Sequence, residues 1–199
     1  MNNKIIIGIS GASGAIYGLR ILEILKEMNK SCNHSDVIKK SYEIHLVISQ
    51  AGKMTLSHEV HMQLEDITSL ADFYYSEDKI GARIASGSFK TLGMIIAPCS
   101  IKTMSEIASG VTTTLLTRAA DVTLKERRKL IMMVRESPLH LGHLKNMLKL
   151  TEMGAIIAPP VPAFYMQPRC INDIINHSVN KVLDMFDITL SNLHIWQGI

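Results

Sequence analysis

Five short apolar runs punctuate the chain, at 4–10, 42–49, 93–98, 129–134 and 155–158, and each is nearly continuous rather than alternating. Strands read this way when both faces of their sheet are covered. Between the runs, apolar residues recur at helical spacing near 14–28, 100–109, 112–126, 139–152 and 171–186. The alternation predicts an α/β protein, a parallel sheet sandwiched between two layers of helices. The polar stretch NKSCNHSDVIKKS, 29–41, is expected to be an exposed loop, and the mixed stretch 58–92 yields no confident strand. Neither an internal repeat nor an inter-domain linker is visible. With 199 residues, one domain over 1–199 is expected, with a C-terminal tail from about 187.

A sheet of this kind binds ligands outside the carboxyl ends of its strands. That rule selects GASG (11–14), Ser49, PCSIKT (98–103), the pair Arg135–Glu136 and PPVPAFY (159–165), which are expected to form one site. The first follows the run Ile5–Ile7 and opens LRILEILKEM, so it reads as strand, glycine turn and helix. Glycines 8, 11 and 14 allow a sharp turn with N–H groups close to an anion, and Ser13 adds a hydroxyl. The spacing is GxxGxxG, not the dinucleotide GxGxxG, and no GK[ST] follows. The next strand ends in Ser49 where a nicotinamide fold places an acid for the ribose, so a mononucleotide is favoured. A tight turn without a ligand is the competing explanation. Ser100 stands in an N-cap position, which serves either ordinary capping or a second phosphate-facing helix terminus.

Composition narrows the function classes. The hydrophobic fraction is 47% and aromatics supply only 5%, so the core is aliphatic and rich in methionine. A mean hydropathy of +0.16 on one small domain hints at further burial between subunits. The net charge of +3 is too small to imply nucleic acid, and the basic cluster KERRK, 125–129, lacks flanking aromatics. The scattered cysteines 32, 99 and 170 suit a reducing compartment and offer no metal spacing, and Cys99 reads as a small core residue. No apolar run approaches ~18 residues, and the chain enters a strand at once without a signal-peptide pattern. A cytoplasmic protein without a membrane span is expected. HEVH (58–61) is one residue short of HExxH, and His140 and His143 read as surface or interface packing, so no metal is expected.

Further along, RAADVTLKERR sets Arg118, Asp121 and Lys125 on one helical face, the last two at the i, i+4 spacing of an ion pair. Taken together, GISGASGAIYG, SGSF, APCSIKT, RAADVTLKERR, VRESPLHLGHL, PPVPAFY and WQGI resemble, in order and from end to end, the UbiX-type flavin prenyltransferases. The resemblance implies a flavodoxin-like (Rossmann-like) three-layer fold. It further implies transfer of a dimethylallyl group from dimethylallyl monophosphate to reduced FMN, giving prenylated FMN for a UbiD-type decarboxylase, usually in ubiquinone synthesis. By position it assigns FMN to Gly11, Ala12, Ser13, Ser49, Ser100, Ile101, Lys102, Thr103 and Arg135. Tyr165 and Lys181 become the prenyl-phosphate binders, with Arg118, Lys125 and Arg135 adding positive charge and Glu136 handling protons. Lys181 stands where the family often has Arg, which keeps the charge and loses the bidentate fork. The resemblance also implies a large homo-oligomer, a dodecamer, with sites at subunit contacts.

The residue types fit that chemistry. Breaking an allylic C–O bond needs cations around the leaving phosphate and a polarizable surface beside the carbon fragment, which reduced flavin and Trp196 can supply. The chain lacks the DDxxD run that holds magnesium for prenyl diphosphates, consistent with a monophosphate and no metal. Several residues keep a plainer explanation: Glu136 as partner of a neighbouring Arg, Trp196 as an anchor docking the tail, Tyr165 as a packed loop residue. Two rival functions stand beside this one. One is a flavin-dependent cysteine decarboxylase, whose PASANT and PxMNxxMW segments are replaced here by APCSIKT and PPVPAFY. The other is a non-catalytic FMN-binding accessory subunit of a decarboxylase.

Overall fold

The computed structural model describes residues 3–32 and 41–188. Six parallel strands form a single sheet: β1 (Lys4–Ile9), β2 (Glu43–Ile48), β3 (Phe73–Ser76), β4 (Gly93–Cys99), β5 (Lys129–Val134) and β6 (Ile156–Ile157), in spatial order β3-β2-β1-β4-β5-β6. The connecting helices are α1 (Ala15–Cys32), α2 (Gln50–Glu59), α3 (Leu64–Thr68), α4 (Ile101–Ser109), α5 (Leu115–Lys125), α6 (Leu141–Glu152) and α7 (Ile171–Asp184). This is the Rossmann order, and the winding reverses between β1 and β4, so loops after those two strands part and leave a crevice between them.

Side-chain alternation explains why both faces are apolar. On β1, Ile5, Ile7 and Ile9 join a cluster with Leu19, Leu22 and Leu25 of α1 and Val179, Val182 and Leu183 of α7. Ile6 points the other way, into a cluster with Met94, Ile96, Met104, Ile107, Leu116 and Leu130 beneath α4 and α5. Each such fully buried aliphatic side chain contributes roughly 1.5–3 kcal/mol relative to exposure. Continuous apolar strands are thus the direct consequence of two covered faces.

Three elements lie outside the sequence expectation. β3 and α3 arise within the stretch 58–92, and α2 follows β2 at once. β3 is an edge strand of four residues whose Phe73 is exposed and whose other residues are only partly buried, so its apolar signal is weak. At 29–41, α1 continues to Cys32 instead of ending near 28, and residues 33–40 fall outside the described residues. Gly8, expected in the turn, lies within β1, against Met94 and Ile96 of β4.

One polar side chain is fully buried in the sheet. His45 of β2 places Nε2 2.7 Å from Glu43 and Nδ1 3.0 Å from the Tyr75 hydroxyl, with its ring stacked on Phe73. Burial depresses the imidazole, and Arg83 adds to that; Glu43 and Asp72 oppose without overcoming it. The unfolded chain therefore holds this proton more tightly than the fold does. Stability should fall as pH drops through the ordinary histidine value of about 6.5 and on to the depressed folded value, and be unaffected by this group above it. Denaturation midpoints measured from pH 7.5 to 5 should fall more steeply for the wild type than for His45→Gln. Parallel slopes would contradict this.

Candidate functional site

Four of the five segments selected from the sequence meet at the crevice. Ser10 closes β1 onto β4, its Oγ donating to the Pro98 carbonyl at 2.9 Å while accepting from the Ser100 N–H at 2.8 Å. On the other side the Ser49 N–H donates to the Ile9 carbonyl at 2.9 Å. Gly11 lies so close to α2 that an added Cβ would sit 2.4 Å from the Ala51 methyl. Arg135 joins through its N–H to the Cys99 carbonyl at 3.1 Å. The fifth segment starts beside this rim, where the Ala158 N–H reaches the Met132 carbonyl, and then runs outward with Val161, Phe164 and Tyr165 exposed.

Three helix N-termini thus share one edge, and they differ in what they leave open. In α2, the Ser49 hydroxyl takes the Gly52 N–H at 2.9 Å and the Glu77 carboxylate takes the Gln50 N–H at 2.7 Å. In α4, the Ser100 hydroxyl accepts from the Thr103 N–H at 3.3 Å and donates to the Thr103 hydroxyl at 3.1 Å. The N–H groups of Ile101 and Lys102 belong to the first turn, where no helical carbonyl can take them, so α4 offers two consecutive donors to an anion.

The first helix carries a contact that the sequence does not show. The glycine turn leads into α1, and Gly14 has the left-handed φ of 98° that the turn needs. Its N–H and that of Ala15 are not open, however: both donate to the Glu59 carboxylate, at 2.8 and 3.0 Å. Partial burial pushes the Glu59 carboxyl up. The Ser13 hydroxyl, the two backbone donors and the Arg135 charge outweigh that and hold it below the usual carboxylate value. An internal carboxylate therefore takes the first N–H donors of α1, while those of Ile101 and Lys102 in α4 stay open. Glu59 sits in the HEVH segment, whose His58 and His61 are exposed. Nothing in the sequence pairs Glu59 with Gly14 across 45 positions.

The remaining candidates separate into two groups. Arg118 lies in the first turn of α5, which starts at the rim where the Leu115 N–H meets the Glu77 carbonyl. The expected Asp121–Lys125 pair is not the one formed. Arg118 takes Asp121 at 2.8 Å, and Lys125, at the last turn, contacts Glu126, whose carboxylate also faces Arg128. A guanidinium one turn earlier outcompetes the lysine for one carboxylate. Lys125 consequently lies at the amino edge, near the start of β5. Lys181 follows it there: α7 begins near the rim and descends until the Met185 carbonyl receives the Lys129 side chain at the foot of β5. Ten residues along a helix is about 15 Å. Within one chain, Lys125 and Lys181 are therefore remote from Ser100 and Arg135. Trp196 lies outside the described residues, as does most of the expected tail.

Tyr165 stands in a short 3-10 turn, Phe164–Met166, with its hydroxyl 3.4 Å from His177 Nε2 of α7. Glu136 is exposed just past β5 and accepts the Ser137 N–H at 3.0 Å, while the Arg135 charge acts on Glu59. His140 caps α6 through Nδ1, and its ring stacks on His143 with centroids 3.5 Å apart. Cys99 is fully buried, and burial pushes its thiol far up, as a core residue requires. A cavity of about 310 Å³ opens at the amino edge between Leu124, the basic run 127–129 and Met153–Ile156, and no predicted site residue lines it. Among the described residues, no helix is long and apolar enough to cross a membrane.

Comparison with known proteins now decides the family. The flavoprotein family profile matches residues 1–194. The flavin prenyltransferase UbiX of Escherichia coli K12 is 53% identical over 197 residues, covering 98% of each chain. This chain belongs to the flavoprotein family, among the UbiX flavin prenyltransferases. Solved structures agree. AnUbiX (PadA1), crystallised with FMN and dimethylallyl pyrophosphate, superposes with a TM-score of 0.92 at 38% identity over the whole of both chains. The dodecameric FMN-dependent UbiX-like decarboxylase of Escherichia coli O157:H7 gives 0.90 at 43% identity, covering 98% of this chain and 100% of that one. A PPC decarboxylase, at 18% identity and TM-score 0.60 over 81% of this chain, is similar in fold.

Proposed function

We propose that this chain transfers a dimethylallyl group from dimethylallyl monophosphate to reduced FMN, and that a UbiD-type decarboxylase receives the prenylated FMN, with ubiquinone synthesis as the setting. The observation that carries the reading is the convergence of Ser49 from one side of the crevice with the open α4 terminus and Arg135 from the other, with Glu136 beside them, in a chain of UbiX family.

The donor set suits FMN. The Thr103 hydroxyl, oriented by Ser100, and the Ile101 and Lys102 N–H groups, with the Ser49 hydroxyl across the crevice, are neutral donors suited to a phosphate dianion. Gly11, Ala12 and Ser13 edge the crevice where a flat ring would lie, Gly11 against α2 and Ala12 held by its N–H to the Ser10 carbonyl at 3.0 Å. Reduced flavin supplies the electron-rich ring that receives the carbon fragment. The residues of the chain handle the rest: cationic groups stabilise the phosphate as the allylic C–O bond breaks and the electron pair leaves with oxygen, and Glu136 accepts the proton released on ring closure.

Arg118 and Arg135 can act within one chain. Lys125 and Lys181, placed at the amino edge, can serve a phosphate only in a neighbouring copy, which supports a homo-oligomer with shared sites, a dodecamer like the Escherichia coli O157:H7 protein. A cytoplasmic setting is in keeping with a buried, unpaired Cys99 and an exposed, unpaired Cys170.

Incubating the protein anaerobically with dithionite-reduced FMN and dimethylallyl monophosphate should raise the mass of the flavin by one five-carbon unit. Bound but unmodified flavin would instead assign the chain the role of an FMN-carrying accessory subunit.

A further inference from the structure

We propose that Arg128 is a positioning residue for Lys125: its guanidinium holds the SGSF turn, 86–89, and that turn is the shelf from which the Lys125 ammonium reaches the phosphate of the prenyl substrate in a neighbouring copy. This rests on the reading of Lys125 as a phosphate-facing cation.

The hold is a fork. Arg128 donates through one terminal nitrogen to the Phe89 carbonyl at 2.7 Å and through the other to the Gly87 carbonyl at 2.6 Å. Its side chain is 14% exposed. Two donors of one rigid plane, set on two carbonyls of one turn, fix position and orientation together, which a single ammonium cannot do. The base of the fork is firm. The Arg128 N–H reaches the Thr123 carbonyl at 2.9 Å, and Lys129, the next residue, opens β5 opposite Gly93 of β4. Within the turn, the Phe89 N–H meets the Ser86 carbonyl at 3.2 Å, and the Phe89 ring packs edge to face on the buried His45 with centroids 5.0 Å apart. Those contacts anchor Phe89, and the fork extends the hold to Gly87.

Gly87 matters because of what lies against it. A Cβ there would sit 2.8 Å from Lys125 Nζ and 2.3 Å from a Glu126 carboxylate oxygen, so both side chains pack on bare backbone. Lys125 also bonds to Glu126, and that bond, with the Arg128 charge behind it, holds the Glu126 carboxyl below the ordinary carboxylate value. Lys125 ends α5 with its side chain 47% exposed, so burial alone does not fix the long stem. Its neighbours do: the Gly87 backbone on one side and Glu126 on the other. Arg128 faces both, gripping Gly87 through the fork and standing 4.0 Å from the second oxygen of Glu126. Without the guanidinium the shelf is freed, and the ammonium spends less time where a phosphate would meet it.

Ordering one long side chain ahead of binding corresponds to about a three- to tenfold effect on affinity. Calorimetric titration of dimethylallyl monophosphate into FMN-loaded Arg128→Met should show a weakening of that size, with kcat/KM falling at least as far and FMN affinity unchanged. Arg128→Lys, which keeps the charge and loses the fork, should be weakened equally. Gly87→Ala leaves Arg128 in place, and its methyl meets the far ends of two flexible side chains. This variant should fold with a Tm close to wild type and show the same weakening, because Lys125 is displaced. On a Lys125→Met background neither Arg128→Met nor Gly87→Ala should weaken substrate binding further. Should Arg128→Met fail to fold, Arg128→Lys carries the comparison. The proposal is overturned if Lys125→Met is impaired while Arg128→Lys or Gly87→Ala binds substrate like wild type, or if the Arg128 variants are equally harmful with and without the Lys125 ammonium. Wild-type binding and turnover in Lys125→Met would instead remove Lys125 from the substrate site, and the role of Arg128 with it.

Discussion

Glu136→Gln should leave FMN bound and slow the formation of prenylated flavin by about 10²–10⁴-fold, the usual worth of a positioned proton acceptor. The substitution is close to a clean removal of basicity. The carboxylate oxygen that accepts the Ser137 N–H at 3.0 Å has a counterpart in the amide carbonyl, so the loop after β5 keeps its bond. The side chain is exposed, so no core contact is lost. Phosphate-facing donors on α4 are untouched, and flavin titration should give a wild-type dissociation constant. Single-turnover mixing of reduced FMN-loaded protein with dimethylallyl monophosphate separates chemistry from product release. Wild-type rates in that measurement would strip Glu136 of its proton role.

The sheet and its rim were legible because they depend on local patterns. Strands buried on both faces must be continuously apolar, and β1, β2, β4 and β5 match the predicted runs within two residues. The brief β6 and the edge strand β3 bury less, and their signal shrinks accordingly; β3 left none that could be read. Ser100 was legible as a cap because capping is a property of one position and its next three residues, whereas Ser49 was picked out as the end of its strand and its capping of α2 went unread. What escaped was every feature made by distant partners. The carboxylate of Glu59 reaches the α1 terminus from 45 residues away, a contact that no local pattern announces. Lys125 carried the right charge in the right motif, yet the direction of α5 sets it at the opposite edge from Arg135. Helix direction relative to the sheet is a tertiary property, and it determines whether two cations of one sequence can meet in one chain or only across two.

The same distinction between local and tertiary preference gives the largest expected change in stability. Gly18→Ala lies inside α1, where exchanging glycine for alanine is worth about 1 kcal/mol of added helix stability. Local reasoning therefore forecasts a more stable protein. The tertiary contact forecasts the opposite. A Cβ at position 18 would sit 2.3 Å from the Ala97 backbone carbonyl and 2.9 Å from two carbons of Ile9. The carbonyl cannot rotate aside, because Ala97 belongs to β4 and leads into the Pro98 carbonyl that receives the Ser10 N–H and hydroxyl. Relief must come from lifting α1 off the sheet at the point where β1 and β4 diverge. Overpacking of this kind costs up to about 3 kcal/mol even where side chains can give way, so a rigid backbone contact should leave a net loss of about 2 kcal/mol or more. For a chain of this size that is a fall in Tm of about 4–8 °C. FMN affinity should fall with it, since the displaced helix carries Gly11–Ser13 away from α4. Gly81→Ala supplies the contrast: its added methyl meets nothing within 4 Å, and Tm should stay within about 1–2 °C of wild type. If Gly18→Ala melts higher than wild type, helix propensity has won at this contact, and the tight seat of α1 against β4 is not what holds the flavin crevice in shape.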